Sequence, residues 1–230
     1  MIMELDEGQP THDDVVVAID GPAGSGKSTV ARAVAQRADL RHLDTGAVYR
    51  ALTLALLRAH VPPDDADAVA LAAKTADLAL ELAPGRSGTV RVLLDGSAMG
   101  EELRSPEVNA AVSAVSAVPA VREQLVALQR SAMAGGGVVA EGRDVGTAVW
   151  PEAEVKVFLT ADAAERARRR AADEPAEALA RRDRLDSGRA ASPTRAAEDA
   201  LLLDSTGREV DDVVEQIVGL IDAARTGRGR

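Results

Sequence analysis

Apolar residues recur along the chain in two rhythms: short β-branched runs, and longer stretches with apolar positions three and four apart. The run VVVAI, residues 15 to 19, has the density of a buried parallel strand. GPAGSGKST, residues 21 to 29, follows it and leads into the helical pattern STVARAVAQRADL. A second short strand around Leu43 ends in LDTG, where Thr45 is placed to cap the helix GAVYRALTLALLRA. Pro62 and Pro63 end that helix. DDADAVALAAKTA predicts another helix, whereas DLALEL and TVRVLL alternate apolar and polar positions across the turn-rich PGRSG, which predicts a β-hairpin. SPEVNAAVSAVSA opens a helix at Ser105 with proline in its first position, and a further helix runs from near Pro119 to about Met133. GGGVVAEGRDVG gives strand, polar turn and glycine; EVKVFLT gives a strand, followed by a capped helix from Asp162. Residues 173 to 195 carry little apolar content and read as mobile. ALLLDST is the last strand and VDDVVEQIVGLIDAA an amphipathic closing helix. This alternation predicts an α/β fold. One doubly wound parallel-sheet domain spans residues 15 to 224, the hairpin is an insertion, and residues 1 to 14 and 225 to 230 are flexible ends. In such sheets ligands collect at the carboxyl ends of the strands.

Composition narrows the classes of function more than the fold. The 230 residues suffice for one core, and with aromatics at 1% that core must be built from Ala, Val and Leu; Trp150 and Phe158 read as part of it. A net charge of −10 argues against broad binding to nucleic acid or anionic membrane. No apolar run approaches the roughly 18 residues that span a bilayer. MIMELDEGQPTHDD lacks the apolar stretch of a secretory signal, and the chain has no cysteine for a disulfide or thiolate metal site. The simplest expectation is a cytoplasmic protein. His12, His42 and His60 lack ligand spacing and read as surface residues. Charge is unevenly spread: arginines 166, 168, 169, 170, 181, 182, 184, 189 and 195 crowd one part of an acidic chain. They form either a solvated helix face paired with carboxylates or an anion clamp.

The stretch from Gly21 to Thr29 (Gly21, Pro22, Ala23, Gly24, Ser25, Gly26, Lys27, Ser28, Thr29) fits G-x-x-x-x-G-K-[ST] and sits between a strand and a helix, as a phosphate-binding loop must. Glycines let successive backbone N–H groups turn toward the phosphates. Lys27 is placed to reach the β- and γ-phosphates, and the Ser28 hydroxyl to meet Mg²⁺. The chain has 24 arginines and only three lysines, so lysine at position 27 is a choice of a compact ammonium over a guanidinium fork. No N-K-x-D guanine signature appears, which favours ATP as the nucleotide.

Four more stretches bear on what receives the phosphoryl group: LDTGAVYR (43 to 50), SAVSAVPAVR (113 to 122), EGRDVG (141 to 146) and RRDRLDSGR (181 to 189). With the phosphate loop and LLLDST, this set resembles the bacterial cytidylate kinases from about residue 15 to residue 222. The resemblance implies a P-loop kinase with a five-stranded parallel sheet flanked by helices. It also implies a hairpin-bearing monophosphate-binding region over about residues 45 to 118 and a short lid over about 173 to 195. It implies transfer of the γ-phosphoryl group of ATP to CMP or dCMP, with Mg²⁺, by a monomer whose partners are small nucleotides.

Carried over by motif, Thr45, Tyr49 and Arg50 line the phosphate and sugar side of the acceptor, and Arg50 and Arg143 hold its phosphate. Ser113, Arg122 and Asp144 read the cytosine edge. Arg182 and Arg189 belong to the lid, and Asp186 bonds the ribose hydroxyls. Lys27, Arg143, Arg182 and Arg189 are the catalytic cations. Arg166 or Arg170 is a candidate neighbour of the donor adenine. Tyr49 also reads as a packing residue only, Ser113 as a helix serine bonded to its own backbone, and Glu141 as a structural carboxylate or a neighbour of the metal. The first motif carries Thr45 where the family often has serine. The segment AADEPAEALA is more than ten residues shorter than in many relatives.

Overall fold

The computed structural model describes residues 15–82, 87–171, 175–188 and 192–228, the side chains of Arg182 and Arg228 excepted. β1 (Val16–Asp20) is buried along its whole length, as its unbroken apolar run requires. It passes through the glycine loop into α1 (Lys27–Arg37), and β2 (Arg41–Asp44) leads to α2 (Thr45–Arg58) and α3 (Ala66–Ala73). The insertion then supplies β3 (Leu78–Glu81), β4 (Gly88–Thr89), β5 (Arg91–Leu94) and β6 (Ser97–Ala98). Two helices joined at Val118, α4 (Pro106–Ala117) and α5 (Pro119–Met133), return the chain to β7 (Val138–Gly142). β8 (Val155–Thr160), α6 (Ala163–Arg170), α7 (Ala176–Ser187), β9 (Leu201–Asp204) and α8 (Val210–Arg228) complete it.

The main sheet has the order β4-β2-β7-β1-β8-β9 with every pair parallel, so it holds six strands where five were expected. The additional strand is Gly88–Thr89, which pairs with Arg41 and His42 at the sheet edge. TVRVLL therefore serves two sheets: Thr89 belongs to the main one, while Arg91–Leu94 pairs antiparallel with β3 and β6. Val90 sits at the change of sheet, its N–H bonded to the His42 carbonyl and its side chain in the core behind β1 and β7. Alternation alone cannot mark such a switch, because the apolar period runs through it unbroken.

Three apolar clusters organise the molecule. One lies between the sheet and α1 and α8, with Ile19, Val34, Leu159 and Ile217 fully buried. Another lies on the opposite face, around Leu43, Met133, Val138 and Val145. The third packs the insertion onto α2, α4 and α5 through Leu52, Leu56, Val92 and Leu125. Trp150 only borders the second cluster, and Phe158 is half-buried, so valine, alanine and leucine carry the core almost alone.

Three further expectations are corrected here. The cap of α2 is Asp44, whose carboxylate accepts from the Ala47 N–H at 3.0 Å; Thr45 is the first helical residue and donates instead to the Glu141 carbonyl at 2.7 Å. The closing helix continues to Arg228, and Arg225 in its last turns donates to the Ala38 carbonyl. Within the stretch read as mobile, α7 forms over Ala176–Ser187 and buries Leu179.

Candidate active site

The carboxyl ends of β1, β2 and β7 meet where Asp20, Asp44 and Gly142 end their strands, and the phosphate loop begins there. Gly21 lies where a Cβ would fall 2.0 Å from the Leu159 carbonyl oxygen. Gly24 has φ +78°, and a Cβ there would come 2.8 Å from the Arg166 carbonyl oxygen. Only glycine allows the loop to lie this close to β8 and α6. Lys27 opens α1 with its Nζ donating to the Pro22 carbonyl at 2.9 Å. Burial first, and then the Arg143 charge, pushes its ammonium down to about 7, against the pull of Glu141, Asp20 and Asp44. Arg143 puts a second cation beside it, which suits an anionic ligand.

The lining of the adjoining cavity, about 390 Å³, makes the same point. Eight basic side chains face it (Lys27, Arg32, Arg50, Arg104, Arg122, Arg143, Arg169 and Arg170) against four carboxylates, Asp44, Glu141, Asp144 and Asp186. That excess of four positive charges sits in a chain of net charge −10. Such a concentration suits a polyanion. Among the expected residues, Ala23, Gly24, Gly26, Lys27, Ser28, Thr29, Thr45, Tyr49, Arg50, Ser113, Arg122, Arg143, Asp144 and Asp186 all line this one cavity. Gly21 and Pro22 contribute carbonyls that accept from Arg143 and Lys27, and Ser25 lines a second cavity instead. Arg189 and the Arg182 side chain lie outside the described residues.

At the far end of the cavity Asp144 and Arg122, both buried, form an ion pair through Oδ2 and Nη2. The Arg122 guanidinium carbon lies 5.7 Å from the centre of the Tyr49 ring, within cation–π range, so Tyr49 both packs and supports the pair. The Nη1 of Arg122 is buried with no hydrogen-bond partner among the described residues, an orphaned donor on a residue that lines the cavity. Arg143 donates from Nε to Asp186 at 3.0 Å and from Nη1 to the Gly21 carbonyl at 2.8 Å. Asp186 is also reached by the Ser113 hydroxyl at 3.4 Å, so Ser113 does not spend that bond on its own backbone.

Ser28 donates to Glu141 Oε2 at 2.7 Å, and His42 Nε2 lies 3.2 Å from Oε1 of the same carboxylate. Burial pushes the Glu141 carboxyl up, yet the His42 contact, the Lys27 charge and the Ser28 hydroxyl hold it below its usual range. His42 is thus a buried partner of Glu141 and not the surface residue expected, because β2 lies inside the sheet between β4 and β7.

The arginine cluster divides. Arg168 and Arg169 pair with Glu165 on α6, and Arg169 also donates to Ser205. Arg166 bonds the Ala161 and Ala23 carbonyls and pairs with Asp183 of α7, while Arg170 lines the first cavity. The second cavity, about 410 Å³, lies beyond the phosphate loop and is lined by Ser25, Thr29, Arg168, Arg169, Ser205 and Arg208 among others. Neither Arg166 nor Arg170 borders it. Arg104, Asp44 and Asp183 were not singled out from the sequence; the first two face the cavity and approach each other to 3.7 Å.

The cytidylate kinase family model matches residues 17–223. The chain belongs to the cytidylate kinase family. A cytidylate kinase of Rhodococcus jostii (strain RHA1) is 49% identical over 229 residues, covering 94% of this chain and 98% of that protein. One from Pelotomaculum thermopropionicum is 47% identical over 220 residues, covering 91% and 96%. A bifunctional pantoate ligase/cytidylate kinase of Prochlorococcus marinus (strain MIT 9303) is 48% identical over 217 residues, 89% of this chain and 44% of that longer protein. Cytidylate kinases are nucleoside monophosphate kinases, and the two cavities flanking one phosphate loop suit an enzyme of two nucleotides. No single described helix is long and apolar enough to cross a membrane.

Proposed function

We propose that the chain transfers the γ-phosphoryl group of ATP to CMP or dCMP. The observation that carries this reading is the buried Asp144–Arg122 pair in the cationic cavity, with its orphaned Nη1. Cytosine offers an amino donor beside two acceptors, so a carboxylate next to an unsatisfied guanidinium donor complements its edge. Uracil lacks the amino group and would leave the Asp144 oxygen not bonded to Arg122 without a donor from the base. Arg143 and Arg50 would hold the acceptor phosphate by their planar forks, and Thr45 and Tyr49 would flank it. Asp186 would bond the sugar, with Ser113 beside it, and Arg182 and Arg189 would complete the clamp from the lid. The phosphate loop, with Lys27, would hold the phosphates of ATP, whose nucleoside would occupy the second cavity.

In the transfer an oxygen of the acceptor phosphate attacks the γ-phosphorus, and the bond to the β–γ bridging oxygen breaks. ADP and CDP or dCDP result. Little covalent help is needed: alignment of the two phosphates and neutralisation of spreading charge by Lys27 and the arginines supply the acceleration. A closed lid would keep water from taking the phosphoryl group.

No cluster of three His, Cys, Asp or Glu among the described residues suits a metal by itself. Mg²⁺ fits this donor set differently, through phosphates, water and one hydroxyl. Ser28 is that hydroxyl, its proton engaged by Glu141. When bound, the ion, met by the Ser28 hydroxyl, would offset the charge of the ATP phosphates. Ser28→Ala is expected to lower kcat by about 10- to 10²-fold and to raise the Mg²⁺ concentration for half-maximal rate. An Mg²⁺ titration at saturating ATP and CMP checks this; an unchanged half-maximal concentration counts against the assignment.

The reading is tested by coupled ADP release over CMP, dCMP, UMP and AMP, with CMP and dCMP expected to turn over fastest. Faster turnover of AMP or UMP would reject it.

A further inference from the structure

One buried carboxylate at the heart of the site has no part in the scheme above. Asp20 ends β1, immediately before the phosphate loop, and is buried among apolar strands. Both of its oxygens are committed to one place 125 residues away: Oδ1 accepts from the Val145 N–H at 2.8 Å and Oδ2 from the Gly146 N–H at 2.7 Å. These are the first two amides of the turn Val145–Val149, whose helical hydrogen bonds leave them without partners in the turn itself. The residues just before it are Arg143 and Asp144. The neighbouring residue of β1 holds this segment as well, since Arg143 Nη1 donates to the Gly21 carbonyl at 2.8 Å.

We propose that Asp20 is a positioning residue for the acceptor, whose carboxylate fixes the turn carrying Arg143 and Asp144 in register with the phosphate loop. The residue type is specific to this task. An ionised carboxylate presents two acceptors to two parallel N–H groups, whereas an asparagine presents one acceptor and must turn an N–H₂ toward the other amide. Gly146 belongs to the arrangement through its N–H, which donates to Asp20 Oδ2 at 2.7 Å. The carboxylate is kept despite its surroundings: burial pushes Asp20 up to about 6, the Gly146 and Val145 amides pull it down, Asp144 adds to the rise and Lys27 opposes it. Core packing alone gives no reason to place a charge here. Through Asp20 the donor loop and the acceptor-reading turn share one anchor, so their separation, which fixes the distance between the two phosphates, does not depend on the lid.

The inference rests on the cytidylate kinase reading. Its test is Asp20→Asn, with Asp20→Ser as a second variant that keeps one acceptor and no charge. Wild type and both variants are assayed with CMP and UMP, ATP affinity is measured separately, and folding is checked by circular dichroism. Misplacing Asp144 and Arg143 is expected to lower kcat/KM for CMP about 10²-fold and to narrow the CMP-to-UMP preference at least tenfold, with ATP affinity held within about threefold. CMP preference retained within twofold in a folded variant overturns the proposal. So does equal loss of ATP and CMP affinity, or failure of both variants to fold, either of which makes Asp20 a general stability residue. The wild-type measurements separate the two ideas: a wild type that does not prefer CMP rejects the parent reading, whatever the variants do.

Discussion

Lys27→Ala is expected to lower kcat by about 10³-fold while leaving the protein as stable as the wild type or more so. The loss follows from removing a preorganised cation from the position where charge gathers in the transition state, an effect of about 10² to 10³ for a single donor and larger where a full charge is removed. The stability result follows from burial. Lys27 is held at about 7 chiefly because its ammonium is out of water, and among the described residues its side chain donates one hydrogen bond, to the Pro22 carbonyl. Alanine removes that bond and also the cost of the buried charge. The melting temperature should therefore stay within about 3 °C of the wild type or rise, since ~1 kcal/mol shifts Tm by only a few degrees in a chain of this size. Steady-state kinetics and a thermal melt decide it together. Near-normal turnover would remove Lys27 from the phosphate site, and a large fall in Tm would make the lost activity a folding effect.

Asp144→Asn is expected to reduce kcat/KM for CMP by about 10²-fold and to shift preference toward UMP, with ATP affinity little changed. Asparagine keeps an oxygen for Arg122 but replaces the acceptor for the cytosine amino group with a donor, which suits the uracil carbonyl. The preference should narrow by more than the CMP loss alone, because the uracil ligand gains a partner. Alanine is a poorer probe: it would leave Arg122 as an unpaired buried charge, at a cost of about 3–5 kcal/mol of stability. Competition assays with both monophosphates read the shift directly. Equal weakening of ATP and CMP would show that Asp144 serves the fold and not the base.

The parts of the site legible in the sequence are those where chemistry is local. GPAGSGKST announces itself because loop turn, lysine and hydroxyl must be adjacent, and the fold keeps them so around Gly24 and Lys27. EGRD pointed to Arg143 and Asp144 through its resemblance to the cytidylate kinase motif, and both line the cavity. What was not legible depends on residues distant in sequence. His42 looked like a surface histidine until β4 and β7 closed over β2 on both sides. Asp20 looked like the end of a strand, since nothing near it reveals that Val145 and Gly146 will arrive at its two oxygens. Asp44 took the capping role assigned to Thr45 because the Thr45 hydroxyl is drawn to the Glu141 carbonyl, again across the sheet. In α7 the sequence carried few apolar residues, and polar links to Arg143, Arg166 and Ser113 tie its Asp183 and Asp186 to the site instead. Helix-forming Ala, Leu and Arg were sufficient for the helix itself.

The most direct measurement follows the phosphoryl group itself. The protein is incubated with γ-labelled ATP, Mg²⁺ and an equimolar mixture of CMP and UMP, and the products are separated. Label should appear in CDP well ahead of UDP, with little in inorganic phosphate, because the acceptor and not water is aligned with the γ-phosphorus. Label recovered mainly as inorganic phosphate, or in UDP at the same rate as in CDP, would contradict transfer to a cytosine nucleotide held by Asp144 and Arg122.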